Sequence, residues 1–89
     1  MKNWLDEIKK EREKQIFKNG YTHSHDDEHT DGSIADAAAH YASSTKSDLY
    51  PWDQKFNSKE KNTRERQLII AGSLNLAELE RIAREKENN

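Results

Sequence analysis

The sequence predicts an all-α fold in which three helices form one small domain. Three segments carry apolar residues at helical spacing, and no segment alternates apolar and polar residues as a half-buried strand does. The chain has 89 residues, of which 31% are hydrophobic and 36% are charged. A chain this short and this polar builds only a thin core. We therefore expect oligomerisation to complete the fold of this single domain, residues 1–89.

The first helix is predicted over residues 3–18, with apolar residues on one face on either side of a polar gap. These apolar residues are Trp4, Leu5, Ile8, Ile16 and Phe17. The many lysine and glutamate residues of this segment are typical of a solvated outer face. Gly20 follows the helix, and glycine suits the left-handed position that commonly ends one.

An acidic, histidine-rich loop is predicted over residues 21–32, because this stretch is polar and has neither a helical nor a strand period. The second helix follows over residues 33–43. Ser33 is a good N-cap residue, and Ile34 and Tyr41 lie on one side of the helix. The sequence therefore predicts a short helix with one apolar side.

A long loop over residues 44–62 joins the second helix to the third, which is predicted over residues 63–86. The loop is expected to pack down in part through its aromatic residues, Tyr50, Trp52 and Phe56. The third helix supplies most of the predicted aliphatic core: Leu68, Ile69, Ile70, Leu74, Leu76, Leu79 and Ile82. Gly72 within it indicates a close helix crossing or a local kink.

Composition excludes several classes of protein. The chain has no cysteine, which excludes disulfides, zinc–thiolate sites and thiol catalysis. No apolar run approaches the ~18 residues of a membrane span, so no membrane partner is expected. The first residues are charged where a signal peptide is apolar, which predicts a cytoplasmic location. The net charge of −2 and the lack of a helix-turn-helix pattern make nucleic acid an unlikely partner.

The densest cluster of chemically active side chains is the string HDDEH and the helix that follows it. Imidazole and carboxylate groups together bind divalent metals. The candidate ligands of such a metal are His25, Asp26, Asp27, His29, Asp36 and His40. Two alternatives stay open: a solvated acidic loop ahead of a helix N-terminus, and acid–base catalysis without metal.

Two further groups are candidates for ligand binding. Glu11, Arg12 and Gln15 lie in the polar gap of the first helix and form a buried network, a ligand wall or a solvated face. Tyr50 and Trp52 precede a basic stretch over residues 55–66. An aromatic plate beside basic residues can hold a nucleotide by stacking and phosphate contact. The alternative is that Trp52 simply plugs the core under the loop.

The basic stretch supplies Arg64 and Arg66 as the candidate phosphate contacts. Both lie at the start of the third predicted helix, where the helix dipole also favours an anion. The predicted ligand-binding set is therefore Glu11, Gln15, Tyr50, Trp52, Arg64 and Arg66.

The order of several motifs resembles a family of small phage and prophage proteins. The matching pieces are EREKQ, then Gly20, then HDDEHTDGSIADAAAHYA, then PW, then RQLIIAGSLNLAELERI. They span the chain from Ile8 to Ile82. The family has no established activity, so the resemblance implies an origin in a phage and a location in the host cell.

A more distant similarity is to the MazG-type all-α nucleotide pyrophosphohydrolases. Their magnesium is held by an E-x-x-E pattern on one helix and E-x-x-D on the next. In this chain Asp36 is the one acid of the second predicted helix, and Glu78 and Glu80 do not have the expected spacing. The resemblance therefore implies a related helical scaffold.

The function expected from these observations is that of a non-catalytic phage accessory protein. It would be a homo-oligomer, a dimer or larger, that binds a host protein or a small nucleotide-like ligand, and it would act against host defence. The alternative is a metal-dependent nucleotide (pyro)phosphohydrolase. In that case the HDDEH segment holds the metal, Trp52 stacks on the base, and Arg64 or Arg66 contacts phosphate.

Overall fold

The computed structural model describes residues 2–87, and all of their regular structure is helical. The four α-helices are α1 (Trp4–Phe17), α2 (His23–Asp27), α3 (Ser33–Ala42) and α4 (Arg64–Glu87). Two 3₁₀ turns, Gln54–Phe56 and Lys59–Lys61, lie in the segment between α3 and α4. No strand is present among the described residues, which confirms the all-α class. The predicted number of three helices is wrong, because α2 lies within the segment predicted as a loop.

The apolar core lies between α3 and α4 and consists largely of small side chains. Its buried members are Ile34, Ala37, Ala38, Tyr41, Tyr50, Ala71, Leu74 and Ala77. Alanine side chains on both helices let the two backbones approach, and Tyr50 covers the core from the loop. The apolar side predicted for the second helix is thus the side that packs.

α1 crosses α4 with its polar side inward. Glu11, Arg12 and Gln15 are buried, whereas Trp4 is 46% exposed and Phe17 is 81% exposed. The predicted apolar face of α1 is therefore exposed at its two ends, at Trp4 and Phe17. These three polar side chains are instead paired with Arg66, Ser73 and Glu80 on α4.

The two helices approach closely at Gly72. A Cβ added there would lie 2.9 Å from Cδ1 of Ile8. Helix α4 continues without interruption from Arg64 to Glu87. Of the two interpretations of Gly72, the close helix crossing is the one found.

α2 is a five-residue helix that depends on its neighbours. Thr22 precedes it, and the Thr22 hydroxyl accepts a hydrogen bond from the His25 backbone N–H at 3.3 Å. A helix this short is not stable alone in water. Two ion pairs hold it in place: Arg12 donates to Asp26 at 2.6 Å, and Arg84 donates to Asp27 at 2.8 Å.

The start of α3 and the outer side of α4 differ from expectation. Gly32 takes the N-cap position with a φ of 87°, so the N-cap prediction for Ser33 is wrong. Ser33 is the first helical residue, and its N–H donates to the Asp31 carboxylate at 3.0 Å. On α4, Leu68 is 47% exposed and Leu79 is 65% exposed, so neither belongs to the core.

None of the helices within residues 2–87 combines the length and apolarity needed to cross a membrane.

Candidate functional site

A cleft of about 370 Å³ opens between α1, α2, α4 and the loop that follows α3. We call it the aromatic cleft and define it by its main lining residues: Gln15, Tyr21, His25, His29, Trp52 and Phe56. A smaller cavity of about 160 Å³ adjoins it and is also lined by Gln15, Tyr21, Trp52 and Phe56. This side pocket adds Glu11, Lys14, Tyr50 and Arg66.

One wall of the aromatic cleft is a row of neighbouring rings, in which Tyr21 and His25 are stacked and the other pairs are tilted or edge-on. The ring centroids of Tyr21 and His25 lie 5.0 Å apart, and those of His25 and His29 lie 4.9 Å apart. The row continues from His29 to Trp52 at 5.4 Å and from Trp52 to Tyr50 at 5.8 Å. These separations are those of favourable aromatic pairs, so the rings support one another in fixed orientations.

Arg12 forms the buried base of this wall. Its guanidinium donates to the Asp26 carboxylate at 2.6 Å, to Glu80 at 3.0 Å and to the Tyr21 carbonyl at 3.3 Å. The side chains of Arg12 and Asp26 are 4% and 5% exposed. A buried charge needs such partners, and this fork joins α1, α2 and α4 at one point.

Gln15 occupies the floor of the cleft, and its amide nitrogen is hydrogen-bonded whereas its amide oxygen is not, within residues 2–87. Its amide N–H donates to the Ser73 hydroxyl at 2.7 Å, and that hydroxyl donates to the Ile70 carbonyl at 2.7 Å. The Gln15 Oε1 atom is buried and has no hydrogen-bond partner among the described residues. The orientation of the amide follows from the Ile70 bond, which makes the Ser73 oxygen the acceptor for Gln15.

Two other residues that line the cleft also carry a buried polar atom without a partner. They are His25, through Nδ1, and Trp52, through Nε1. The Asp26 carboxylate lies 3.6 Å from His25 Nδ1, which is too far for a hydrogen bond. Buried polar groups are nearly always paired, so three unpaired atoms around one cleft indicate a place where a polar ligand supplies the missing bonds.

Two phenol groups near the cleft, those of Tyr21 and Tyr50, have raised pKa values. Burial raises the pKa of Tyr21, with a smaller contribution from Tyr41. The same two causes raise the pKa of Tyr50. A phenol is protonated at neutral pH even at its ordinary pKa, so both side chains line these spaces as uncharged rings.

The side pocket is the more charged of the two spaces. The Glu11 carboxylate is buried and forms an ion pair with Arg66, whose side chain is 37% exposed. Lys14 also lines the pocket. The pocket therefore has two cations and one carboxylate, next to an aromatic cleft that is mostly apolar.

The six candidate metal ligands are not brought together. His25, Asp26 and His29 line the aromatic cleft, but Asp26 is taken up by Arg12. Asp27 is paired with Arg84, and Asp36 is exposed on α3. Within residues 2–87 no group of three or more histidine, aspartate or glutamate side chains is arranged to hold a metal ion.

His40 lies elsewhere, buried against Asn57. The predicted metal site is thus not formed, because Asp26 and Asp27 pair with arginines and His40 lies apart.

The candidate ligand-binding residues divide among three places. Gln15 and Trp52 line the aromatic cleft, and both also border the side pocket. Glu11, Tyr50 and Arg66 line the side pocket alone. Arg64 lies apart from both: its guanidinium donates to the backbone carbonyls of Ala42 and Ser43 at the end of α3. The prediction that Arg64 belongs to the same site is therefore wrong, since it serves as a helix C-cap.

Tyr21 was not among the predicted site residues. Phe56 was predicted as a packing residue of the loop, and Arg12 as part of the polar gap of the first helix. A signal for the ring row exists, because Tyr21, His25 and His29 recur every four residues, which is helical spacing. Thr22 is the N-cap residue that would have supported a helix there. For the position of Phe56 at the cleft no signal exists, since it depends on how the loop folds back.

Comparison with known proteins gives no relative. No protein-family description, curated protein or solved structure matches the chain. The resemblances to phage proteins and to MazG-type enzymes therefore rest on the motifs alone, and function is argued from the geometry of the cleft.

Proposed function

We propose that the protein is a non-catalytic binding protein whose aromatic cleft takes a small planar ligand of the nucleotide class. The observation that carries the proposal is the set of unpaired buried atoms around a ring-lined cleft: Gln15 Oε1, His25 Nδ1 and Trp52 Nε1. Such a cleft offers both stacking surfaces and a small number of fixed polar groups, which is the usual make-up of a small-molecule site.

Size and lining support a nucleobase as the planar part of the ligand. Small-molecule sites occupy roughly 300–1,000 Å³, and this cleft has about 370 Å³. Every base has a flat π-face that stacks on aromatic side chains. Trp52 and Tyr21 present such side chains, held in place by the ring row.

The unpaired atoms support hydrogen bonds along the edge of such a base. Gln15 Oε1 is an acceptor and suits an amino group or ring N–H. Trp52 Nε1 is a donor and suits a carbonyl or ring nitrogen. Lys14 and Arg66 lie in the adjoining side pocket, where a phosphate attached to the ligand would meet positive charge.

The pairing of the carboxylates supports binding without catalysis. Asp26 and Glu80 are bonded to Arg12, and Glu11 is bonded to Arg66. A carboxylate that accepts hydrogen bonds from a guanidinium is a poor proton acceptor and a poor metal ligand. The hydrolase alternative needs such a carboxylate free.

The biological setting of the proposal comes from the sequence resemblance. A phage accessory protein in the host cytoplasm could sequester a nucleotide signal or bind a host protein, and so counter host defence. Self-association is part of the same proposal. The exposed side chains of Trp4 and Leu68 lie beside an apolar groove of about 300 Å³ between α1 and α4, which supports a second copy packing there.

Tryptophan fluorescence tests the proposal directly. The chain has two tryptophans, and Trp4→Phe leaves Trp52 as the sole emitter. We expect one or more members of a panel of nucleosides and nucleotides to quench this emission saturably. His25→Ala in the same background should weaken binding by about tenfold or more, since it removes a ring and a polar partner from the wall.

The matched control is His23→Ala, because His23 is exposed and does not line the cleft. Its binding curve should coincide with that of the parent. Absence of saturable quenching by every ligand, or equal loss in both histidine variants, would reject the cleft as the site. Release of phosphate or pyrophosphate from a bound nucleotide, with or without added divalent metal, would reject the non-catalytic part and favour the hydrolase.

A further inference from the structure

A separate cavity of about 430 Å³ lies on the other side of Tyr50, at the C-terminal end of α3. We call it the loop cavity and define it by six of its lining residues: His40, Ser43, Thr45, Lys46, Lys59 and Gln67. It shares no lining residue with the aromatic cleft. The two cavities are therefore distinct sites.

Lys59 is a buried cation without a counter-ion. The residue is 7% exposed, and its ammonium donates one hydrogen bond, to the Thr45 carbonyl at 2.7 Å. No carboxylate oxygen among residues 2–87 lies within 4.0 Å of it. An ammonium has three donors, and a buried charge is costly unless it is paired. The cavity beside it can hold the missing anion.

His40 adds a second unmet requirement. The residue is 4% exposed, and its Nε2 lies 3.0 Å from Oδ1 of Asn57. That oxygen also accepts a hydrogen bond from the Lys59 backbone N–H at 3.2 Å. Because the oxygen is an acceptor, Nε2 carries the hydrogen and Nδ1 of the neutral ring is an acceptor. His40 Nδ1 is buried and has no partner among the described residues.

We propose that the loop cavity binds inorganic phosphate, which keeps a P–O–H group at neutral pH. This anion meets both requirements at once, since its charge pairs with Lys59 and its P–O–H hydrogen is donated to His40 Nδ1. Sulfate at neutral pH has the charge but no hydrogen to donate. Two carboxylates, Asp48 and Glu60, also line the cavity. Both are exposed, so water screens them far more than it screens Lys59.

The test is a titration of the ¹⁵N-labelled full chain with inorganic phosphate, followed by NMR at constant pH and ionic strength. We expect saturable shifts of the backbone amides of Thr45 and Lys59, and no comparable shift at Gln15 in the aromatic cleft. Sulfate should bind about tenfold more weakly or worse, because it leaves His40 Nδ1 unpaired. These measurements use the unaltered protein and decide the proposal without any variant.

Lys59→Met and its matched control extend the test to the cation. Methionine is similar in length and removes the charge, so phosphate affinity should fall by about tenfold or more. Lys61→Met changes an exposed lysine in the same 3₁₀ turn and should leave the affinity unchanged. Circular dichroism establishes that both variants are folded.

Three results would overturn the proposal. They are the absence of saturable shifts at Thr45 and Lys59, equal affinity for sulfate and phosphate, and unchanged phosphate affinity in a folded Lys59→Met variant. Because the aromatic cleft is a different site, none of these results bears on the proposed binding of a planar ligand there.

Discussion

The face of α4 that packs on α3 and the face that packs on α1 are held by different kinds of contact. Towards α3 the helix presents Ala71, Leu74 and Ala77, and the contact is apolar. Towards α1 it presents Ser73 and Glu80, which bond to Gln15 and Arg12. The apolar face is held by area removed from water, which has no preferred direction, whereas the polar face is held by bonds that each require one partner at one place.

The difference has a functional side, because the aromatic cleft lies along the polar face. A polar interface fixes the position of each side chain closely, and Arg12 in particular sets where Tyr21 and Asp26 stand. It also leaves single atoms, such as Gln15 Oε1, without a partner in the part of the chain that the structure describes. The apolar face contributes apolar lining to the cleft through Leu74 and Ala77, and its main contribution is to stability.

The largest expected effect is loss of the fork at the polar face. Arg12→Leu leaves the Asp26 carboxylate buried and unpaired, and we expect the free energy of unfolding to fall by about 3–5 kcal/mol. Urea denaturation measures it. Arg84→Leu is the matched control, since its pair with Asp27 is largely exposed and should contribute far less.

The double variant Arg12→Leu with Asp26→Leu sharpens the same comparison. Replacing both charges by apolar side chains removes the unpaired carboxylate, so part of the lost stability should return. Equal stabilities of the single and double variants would show that Arg12 acts through packing alone.

The next largest effect tests the apolar face. Ala37 is fully buried between α3 and α4, so Ala37→Leu overpacks the contact and should cost about 1–3 kcal/mol of unfolding free energy. Ala39 is exposed on the same helix, and Ala39→Leu should change stability by less than about 0.5 kcal/mol. Similar losses in both variants would mean that α3 does not pack on α4 through Ala37.

The smallest effect concerns the pair that holds the outer end of α2. Hydrogen bonds from Arg84 lower the pKa of Asp27 in the folded protein. A lowered folded-state pKa stabilises the protein above the ordinary pKa of aspartate, and this contribution is lost as the pH falls through the lowered value. Asp27→Asn should therefore have a slightly lower Tm than the parent at pH 7, and the two values should converge in acid.

Thermal melts by circular dichroism measure this convergence. They should cover about pH 2.5 to 7, which includes the range in which carboxylates titrate. Arg84→Gln removes the other partner and should show the same pattern. A difference in Tm that grows as the pH is lowered would contradict the assigned sign.

The apolar pattern of the sequence was sufficient to predict the fold class and the packing side of α3. The all-α class and the packing side of α3 follow from the spacing of Ile34, Ala38 and Tyr41. For α1 the buried network stayed one of several alternatives, because burial of Glu11 and Arg12 depends in part on Arg66 and Glu80, partners on α4 that no local pattern shows. Those partners lie more than 50 residues away along the chain.

The candidate site shows the same division. Gln15 and Trp52 were found because a polar gap and an aromatic beside a proline are local signals. The metal prediction for HDDEH was made from residue types, but carboxylates bind arginines as readily as metals. Which partner Asp26 meets is settled by the long-range position of Arg12, which no local pattern contains.

The Arg12 fork also sets an order of events during synthesis. Arg12 and Glu80 are 68 positions apart. At about 5–20 residues per second, a ribosome needs roughly 3–14 s to travel from one codon to the other. Throughout that interval α1 lacks its acceptor on α4, and a 14-residue helix is marginal by itself. In the nascent chain α1 therefore stays without its partner Glu80, and the base of the cleft wall is completed only after α4 has been synthesised.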